Sequence, residues 1–362
     1  MKIKLIDQYI TKQFLQTIVF GLVAFVFIFV IIDMMENLDD FIDENVNSSI
    51  IVQYYIVFIP EIIRLMLPVA ILLAALFTVG KLEGTNELTA IKATGVSLYR
   101  FMIPFIIVAF FISIFSIYFG GFLVPDANEH KVFIEQKYMK KGLVTTGSNI
   151  FFQDSENRIV TIAYYDVSTD QANRVSIQEF SNEDLTRMVK RYDANKMRFD
   201  STAQSWQLLN GVKREFEDST ESIDYFKDEF LGSLNFKPDD VIMKQRKPEE
   251  MTLTELKEFA QILKTAGNDP TRILIEFHSR ISFAFTSFVV VLFGLPFSVN
   301  KRRGGVAIQF GVSTLITFIY LVFLKIVEAF GKNGVLDPFL TAWFANFIFL
   351  AAAIYYITRA NK

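Results

Sequence analysis

Cysteine is absent from the 362 residues, and histidine occurs only twice, as His130 and His278. Without cysteine the chain forms no disulfide and offers no thiolate to a metal, although this leaves the redox compartment open. The two histidines are far apart in the chain, and no ligand set surrounds either one. The sequence therefore predicts neither a metal site nor a cofactor.

Charged residues are also scarce, at 21% of the chain, with a net charge of −3. This charge balance argues against a nucleic-acid partner, because the chain lacks the excess of positive charge that binds phosphates. No Ser/His/Asp set or pair of carboxylates stands out, so we expect no catalysis. The phosphate-binding pattern G-x-x-x-x-G-K-[ST] is missing, so any ATP that drives this protein must be hydrolysed on another chain.

Apolar residues, in contrast, are abundant at 52%, and 39 of them are phenylalanine. They form segments long enough to cross roughly 30 Å of hydrocarbon. The first is too long for a cleavable signal peptide and lacks a small-residue cleavage site. The sequence predicts six spans, at residues 13–32, 50–79, 101–124, 273–299, 306–330 and 339–357.

Basic residues predict the orientation of these spans. They cluster before the first span, in the 81–100 loop, in the 301–303 turn and after the last span, whereas the 33–44 loop is acidic. The positive-inside rule then places both termini in the cytoplasm. The large insert after span three lies outside, which in a bacterium with two membranes is the periplasm.

The insert has a different composition from the rest. Runs rich in β-branched and aromatic residues are separated by Asn, Asp, Gly and Ser, and Asn210-Gly211 is a typical hairpin signal. We expect an all-β jelly-roll at 125–250, joined by an amphipathic connector helix at 251–271 that ends at Gly267. The predicted fold is a polytopic α-helical membrane protein with this periplasmic domain inserted between 1–124 and 272–362.

The polar loop between spans two and three predicts a short helix at about 86–95. Asn86 is expected to cap it, and Gly95 to end it in the left-handed conformation. Two interpretations are open: a connector lying on the lipid surface, or a docking helix for a partner. Acidic residues are repelled by anionic lipid, so their presence favours a protein partner with basic groups. The candidate docking residues are Glu83, Asn86, Glu87, Leu88, Ile91, Lys92 and Gly95.

Basic residues near the outer ends of the spans form a second candidate site. Together they would hold the phosphates of a lipid head group. The alternative is that they extend to the interface or pair with Glu61, Glu276 and Glu328, which are close in sequence. The candidates are Arg64, Lys131, Lys137, Arg272, Arg280 and Lys325.

Phenylalanines in the spans suggest a third site, an apolar cavity for acyl chains. Phe27, Phe29, Phe318 and Phe323 are the candidates. A sequence does not distinguish aromatic residues that line a cavity from those that face bulk lipid, so both interpretations are kept.

Several segments, taken in order, resemble the lipopolysaccharide export permeases, the YjgP/YjgQ family of LptF and LptG. The resemblance covers essentially the whole chain, and the short first external loop is closer to LptG. It rests on residues 5–10, 67–76, 87–95, 276–280, 294–296 and 303–305, and on Asp337-Pro338 with Trp343.

This resemblance implies an inner-membrane ABC exporter that serves the assembly of the outer membrane. Its membrane half would be an LptF–LptG heterodimer, and a separate LptB-like ATPase dimer would dock on 86–95. The lipid would leave through gates formed by spans one and five and pass to LptC/LptA-like β-jelly-roll proteins. The alternatives are a mechanotransmitting exporter subunit that holds no lipid, a sensory membrane protein, and a secondary transporter. Because the carboxylates of the apolar segments sit at span ends, the last of these is disfavoured.

Overall fold

The computed structural model describes residues 5–139, 150–166, 171–200, 205–217, 220–231, 234–238, 240–241, 246–265, 268–299 and 305–359. The predicted 301–303 turn and Gly267 lie outside these ranges. The chain divides into two compact units. The first comprises Met1–Lys141, Glu249–Leu256 and Thr271–Lys362, and the second comprises Gly142–Pro248 and Lys257–Pro270.

Helices make up the first unit, and one of them, Leu253–Thr265, has its first turn in this unit and its remaining residues in the second. Six apolar helices of the described residues are long enough to cross a membrane, which confirms the predicted spans. In chain order the helices are α1 (Leu5–Glu36), α2 (Leu38–Asp43), α3 (Ser48–Gly84), α4 (Glu87–Ala93), α5 (Leu98–Tyr118), α6 (Val124–Tyr138), α7 (Leu253–Thr265), α8 (Thr271–Val299), α9 (Gly305–Lys332) and α10 (Pro338–Arg359).

The helix that contains the third span is longer than the sequence suggested. A π-helical turn, Phe119–Leu123, joins α5 to α6, so the helix continues to Tyr138 instead of ending near Val124. Pro125 does not stop it, because in the first turn of α6 no backbone donor is required. At Gly121 an added Cβ would lie 2.4 Å from Cδ1 of Leu253, so the π turn needs glycine for this close packing.

The core of the helical unit lies among α1, α3, α5 and α8. Phe14, Ile71, Phe105 and Leu295 are buried in one apolar cluster. The same cluster includes Leu88 of α4, so the short loop helix belongs to the packed interior of the unit.

The second unit contains one six-stranded antiparallel sheet, which confirms the inserted all-β domain. Its strands are β1 (Ile150–Ser155), β2 (Arg158–Asp166), β3 (Gln171–Phe180), β4 (Met188–Asp200), β5 (Ser205–Glu217) and β6 (Thr220–Phe230). Each strand pairs with the next in sequence, and the sheet is not closed into a barrel. Among the described strands the order is therefore that of a meander, without the crossing connections of a two-sheet jelly-roll.

The Asn210-Gly211 hairpin prediction is wrong. Both residues lie inside β5, where Leu209 pairs with Lys196 and Gly211 with Ala194. Asn210 does have the left-handed backbone that the pattern favours, with φ 51°, but it is used within a strand. Position 211 requires glycine, because a Cβ there would lie 2.6 Å from the backbone oxygen of Asp193.

The pairing register skips one residue at matching positions of five neighbouring strands, β2 to β6, and the burial pattern of β2, β3 and β4 shows its effect. Side chains of one face normally recur every second residue, whereas here successive buried positions are three apart. Arg174, which lies between two of them, has φ 49°. The skipped residues keep the apolar side chains on the same face across a bend in the sheet. The buried positions concerned are Ile162 and Tyr165, Ala172 and Val175, and Ala194 and Met197.

Helix α7 corresponds to the predicted amphipathic connector. A capping box begins it: the backbone N–H of Thr252 donates to Glu255 Oε2 at 2.7 Å, and the N–H of Glu255 donates to Thr252 Oγ1 at 3.3 Å. Its buried side chains, Leu253, Leu256 and Phe259, recur at helical spacing.

Candidate functional site

Helix α4 occupies most of the predicted docking segment. Leu88 is only 3% exposed and packs in the same core cluster as Leu82 and Phe101, and Ile91 packs against that cluster. Gly95 has φ 78°, the left-handed conformation expected at the end of this helix. The apolar side of α4 is thus packed in a cluster that also contains residues of α3 and α5.

The cap of α4 differs from the expectation. Asn86 is itself left-handed, with φ 60°, and its side chain makes no capping hydrogen bond. The neighbouring Thr85 hydroxyl instead donates to Glu87 Oε1 at 2.9 Å. Asn86 and Lys92 are exposed, and Glu83 and Glu87 are half-buried, so α4 keeps a polar outer surface.

Side chains of α1 and α5 hold the surroundings of α4 in place. The Tyr9 hydroxyl donates to Glu87, and Asp7 forms an ion pair with Arg100 at the start of α5. The Ser97 hydroxyl accepts from the Arg100 backbone N–H at 3.3 Å. Sequence reasoning missed Asp7, Tyr9 and Arg100 as supporting residues. The available signal was the opposite charge at the entrances of the first and third spans.

Two of the head-group candidates, Arg64 and Arg280, come together around one small cavity of about 10 Å³. Arg64 donates to Glu61 at 2.7 Å. Arg280 is 6% exposed, donates to Glu276 at 3.1 Å, and also donates to the Met251 backbone oxygen. Both charges are thus balanced within the chain, and for the buried Arg280 the loss of this carboxylate would be costly.

The other four cations have different environments. Lys131 lies 3.5 Å from Glu135 and over the Phe58 ring at 4.2 Å, and Lys137 lies over the Phe133 ring at 5.1 Å. Lys325 reaches Glu328 at 2.8 Å, and this carboxylate also accepts from Lys332 at 2.6 Å. Arg272, in the first turn of α8, is exposed and has no ion pair among the described residues.

The four phenylalanine candidates do not form one lining. Phe27 on α1 and Phe318 on α9 are 65% and 64% exposed. Phe29 is half-buried. Phe323 packs against α10, with its ring centroid 6.3 Å from those of Phe344 and Phe349. Within this chain Phe27 and Phe318 are therefore the members available to a lipid or to another subunit.

A groove between α1 and α3 was missed by sequence reasoning. We call it the α1–α3 groove; its volume is about 530 Å³. Hydropathy alone does not reveal it, because it arises where small residues bring the two helices together: a Cβ added at Gly21 would lie 4.0 Å from that of Ala70. Its lining consists of Gln13, Gln16, Thr17, Phe20, Gly21, Ala24, Phe25, Ile28, Ala70, Leu73, Ala74, Phe77 and Lys81.

Metal-ligand clusters are not found. Among the described residues, no group of three or more His, Asp or Glu side chains is arranged to hold a metal ion.

Comparison with known proteins identifies relatives along the whole chain. A family model described as lipopolysaccharide export system permease LptF/LptG matches residues 8–359. LptF of Escherichia coli strain K12 is 23% identical over 97% of this chain and 93% of its own length. LptG of the same strain is 22% identical over 87% of this chain and 88% of its own. LptG of Haemophilus influenzae is 22% identical over 92% and 91%. Since both kinds of relative match to nearly the same extent, the greater likeness to LptG stays a prediction.

Proposed function

The chain belongs to the LptF/LptG family of lipopolysaccharide export permeases, and on this premise we propose that it is the membrane subunit of an ATP-driven exporter. It extracts lipopolysaccharide from the inner membrane and passes it to a periplasmic β-jelly-roll bridge that leads to the outer membrane. The observation that carries this proposal is α4, a polar helix whose apolar side is anchored in the core between two spans.

Energy enters through α4, because the sequence contains no phosphate-binding loop of its own. An LptB-like ATPase dimer in the cytoplasm docks on the outer surface of α4. When ATP closes the dimer, α4 moves, and Leu88 transmits the motion to α3 and α5 through the cluster that it shares with Leu82 and Phe101. Spans two and three thus act as the moving part of a two-state element.

A second permease subunit of the LptF type completes the membrane half. Exposed apolar side chains on α1 and α9, among them Phe27 and Phe318, support gates formed by spans one and five against that subunit. Both termini then lie in the cytoplasm, and the β domain lies in the periplasm, where LptC/LptA-like proteins accept the lipid. Arg272 and the Lys325–Glu328–Lys332 group contribute a net positive charge for the lipid phosphates.

The second candidate function is a mechanotransmitting exporter subunit that never holds the lipid. One observation favours it: Arg64 and Arg280, which a head-group site would need as free cations, each have a carboxylate partner. The two functions differ in whether lipopolysaccharide contacts residues of this chain during transport.

A reconstituted system tests the proposal. Vesicles would contain this chain, the second permease subunit, the ATPase and lipopolysaccharide, with a photo-crosslinking amino acid at position 27 or, as the buried control, at position 14. We expect ATP-dependent transfer of lipid to a soluble β-jelly-roll acceptor and lipid adducts at position 27 only. Transfer without adducts at position 27 would favour the mechanotransmitter, and the absence of ATP-dependent transfer would contradict both.

A further inference from the structure

The α1–α3 groove has the polarity of a lipid. At one end it is lined by Gln13, Gln16 and Lys81, and along the rest of its length by apolar side chains from Phe20 to Ile28 and from Ala70 to Phe77. Its volume of about 530 Å³ is in the range of sites that enclose one small ligand. The polar end lies beside α4, because Lys81 is in the last turn of α3.

The length of the groove suits one acyl chain. From Gln13 to Ile28 helix α1 rises about 22 Å. Half of a bilayer's hydrocarbon layer is about 15 Å thick. A single chain that enters from the membrane surface next to α4 therefore remains within the groove along its whole depth.

Lys81 supplies a cation at the mouth of the groove. The side chain is exposed and has no ion pair among the described residues. Glu87 already accepts hydrogen bonds from Tyr9 and Thr85. Glu83 is two residues from Lys81 and so points to a different side of the helix. The comparable cation at the start of α5, Arg100, is paired with Asp7.

We propose that the α1–α3 groove binds one acyl chain of an anionic phospholipid, whose phosphate pairs with Lys81. The assignment to the cytoplasmic leaflet rests on the orientation given under the proposed function. A lipid suits the groove better than a helix of another subunit, because a covering helix would have to bury two glutamines and supply a carboxylate to Lys81. The bound lipid would fill the space beside α3 and contribute to the position of α3 relative to α1.

Fluorescence quenching by brominated lipids tests this site. The full chain with Phe20→Trp is reconstituted into phosphatidylcholine vesicles that contain either brominated phosphatidylglycerol or brominated phosphatidylcholine. The signal of Trp206 and Trp343 is subtracted with the unsubstituted chain. Ile107→Trp is the matched control: it is also exposed, does not line the groove, and lies seven residues from Arg100 as Phe20 lies seven from Gln13.

We expect brominated phosphatidylglycerol to quench the Phe20→Trp probe at a severalfold lower mole fraction than brominated phosphatidylcholine, and both lipids to quench the Ile107→Trp probe equally. Lys81→Gln should remove the preference at position 20, and Lys81→Arg should retain it. An unchanged signal from the Ile107→Trp probe in each Lys81 variant shows that the helices remain folded.

Equal quenching of the Phe20→Trp probe by the two lipids, or a preference that survives Lys81→Gln, would overturn the proposal. Quenching by neither lipid would show that protein covers the groove and would overturn it as well. Since these vesicles contain no ATPase and no lipopolysaccharide, failure here leaves the export function untouched. Loss of ATP-driven transfer with the lipid preference intact would count against the export function alone.

Discussion

Glu87 is held by two neighbours and is also the acidic residue closest to the start of α4. The Tyr9 and Thr85 hydroxyls orient its carboxylate, so the negative charge lies at the N-terminal end of the helix. If the ATPase docks here as proposed, its basic group would meet a carboxylate that is already oriented, and less conformational entropy would be lost on docking.

Reversal of this charge should release the ATPase. Glu87→Arg is expected to weaken ATPase binding at least tenfold, corresponding to about 1.4 kcal/mol, while the six spans stay folded. Glu87→Gln keeps an acceptor for Tyr9 and Thr85 and should have a smaller effect. Co-purification of the ATPase with each variant, together with the helical circular dichroism signal, measures both effects. If the Glu87→Arg variant retains its partner and exports normally, Glu87 has no docking role.

The Asp7–Arg100 ion pair joins the first turn of α1 to the first turn of α5. Both side chains are largely shielded from solvent, so their coupling should exceed that of an exposed pair. A double-mutant cycle with Asp7→Asn and Arg100→Gln should give a coupling energy of about 1 kcal/mol or more. Thermal unfolding in detergent measures it, and the exposed pair Arg214 and Glu221 is the control. Equal coupling for the two pairs would show that Asp7 and Arg100 do not fasten the helices.

At the scale of elements, the hydropathy of the sequence predicts the positions of the helices well and the positions of the strands less well. Five of the six strands lie where β-branched and aromatic residues are dense. β1, with only six residues, is too short to stand out by composition. The Asn210-Gly211 pattern predicted a hairpin because Asn210 adopts the same left-handed φ in this bend that it would adopt in a turn. Only the pairing of β5 with both neighbours distinguishes the two, and pairing is a long-range property.

The bend in the sheet should depend on glycine at position 211. Gly211→Ala places a methyl group 2.4 Å from the Phe226 ring and 2.6 Å from the Asp193 backbone oxygen. We expect the β unit to lose about 1–3 kcal/mol of stability, as overpacking does elsewhere. Adding Phe226→Ala should recover little, since the backbone oxygen remains. Gly311→Ala, where an added Cβ meets no atom within 4 Å, is the control and should not destabilise the protein. Hydrogen exchange of β4 and β5 amides reports the effect, and unchanged protection would show that the bend tolerates a side chain.

For the molecule as a whole, hydropathy and the composition of the insert were sufficient to predict six spans and an inserted β domain. The orientation that the positive-inside rule gives stays a prediction. The candidate site was predictable only in part. Leu88 and Ile91 have helical spacing, so their burial follows from the pattern. The pairing of Asp7 with Arg100, and the meeting of Arg64 with Arg280, depend on tertiary contacts between residues far apart in sequence. Sequence periodicity contains no information about such contacts.

In the proposed mechanism, ATP-driven motion reaches the spans through α4. The most direct test is the amount of lipopolysaccharide transferred per ATP hydrolysed, measured in vesicles that contain the ATPase and both permease subunits. Leu88→Ala removes the buried contact of α4 but leaves its outer surface, and Thr89→Ala changes only an exposed residue. We predict that Leu88→Ala keeps ATP hydrolysis and lowers the transfer ratio roughly tenfold, while Thr89→Ala, which keeps the buried contact, leaves the transfer ratio unchanged. An unchanged ratio in the Leu88→Ala variant would contradict the account.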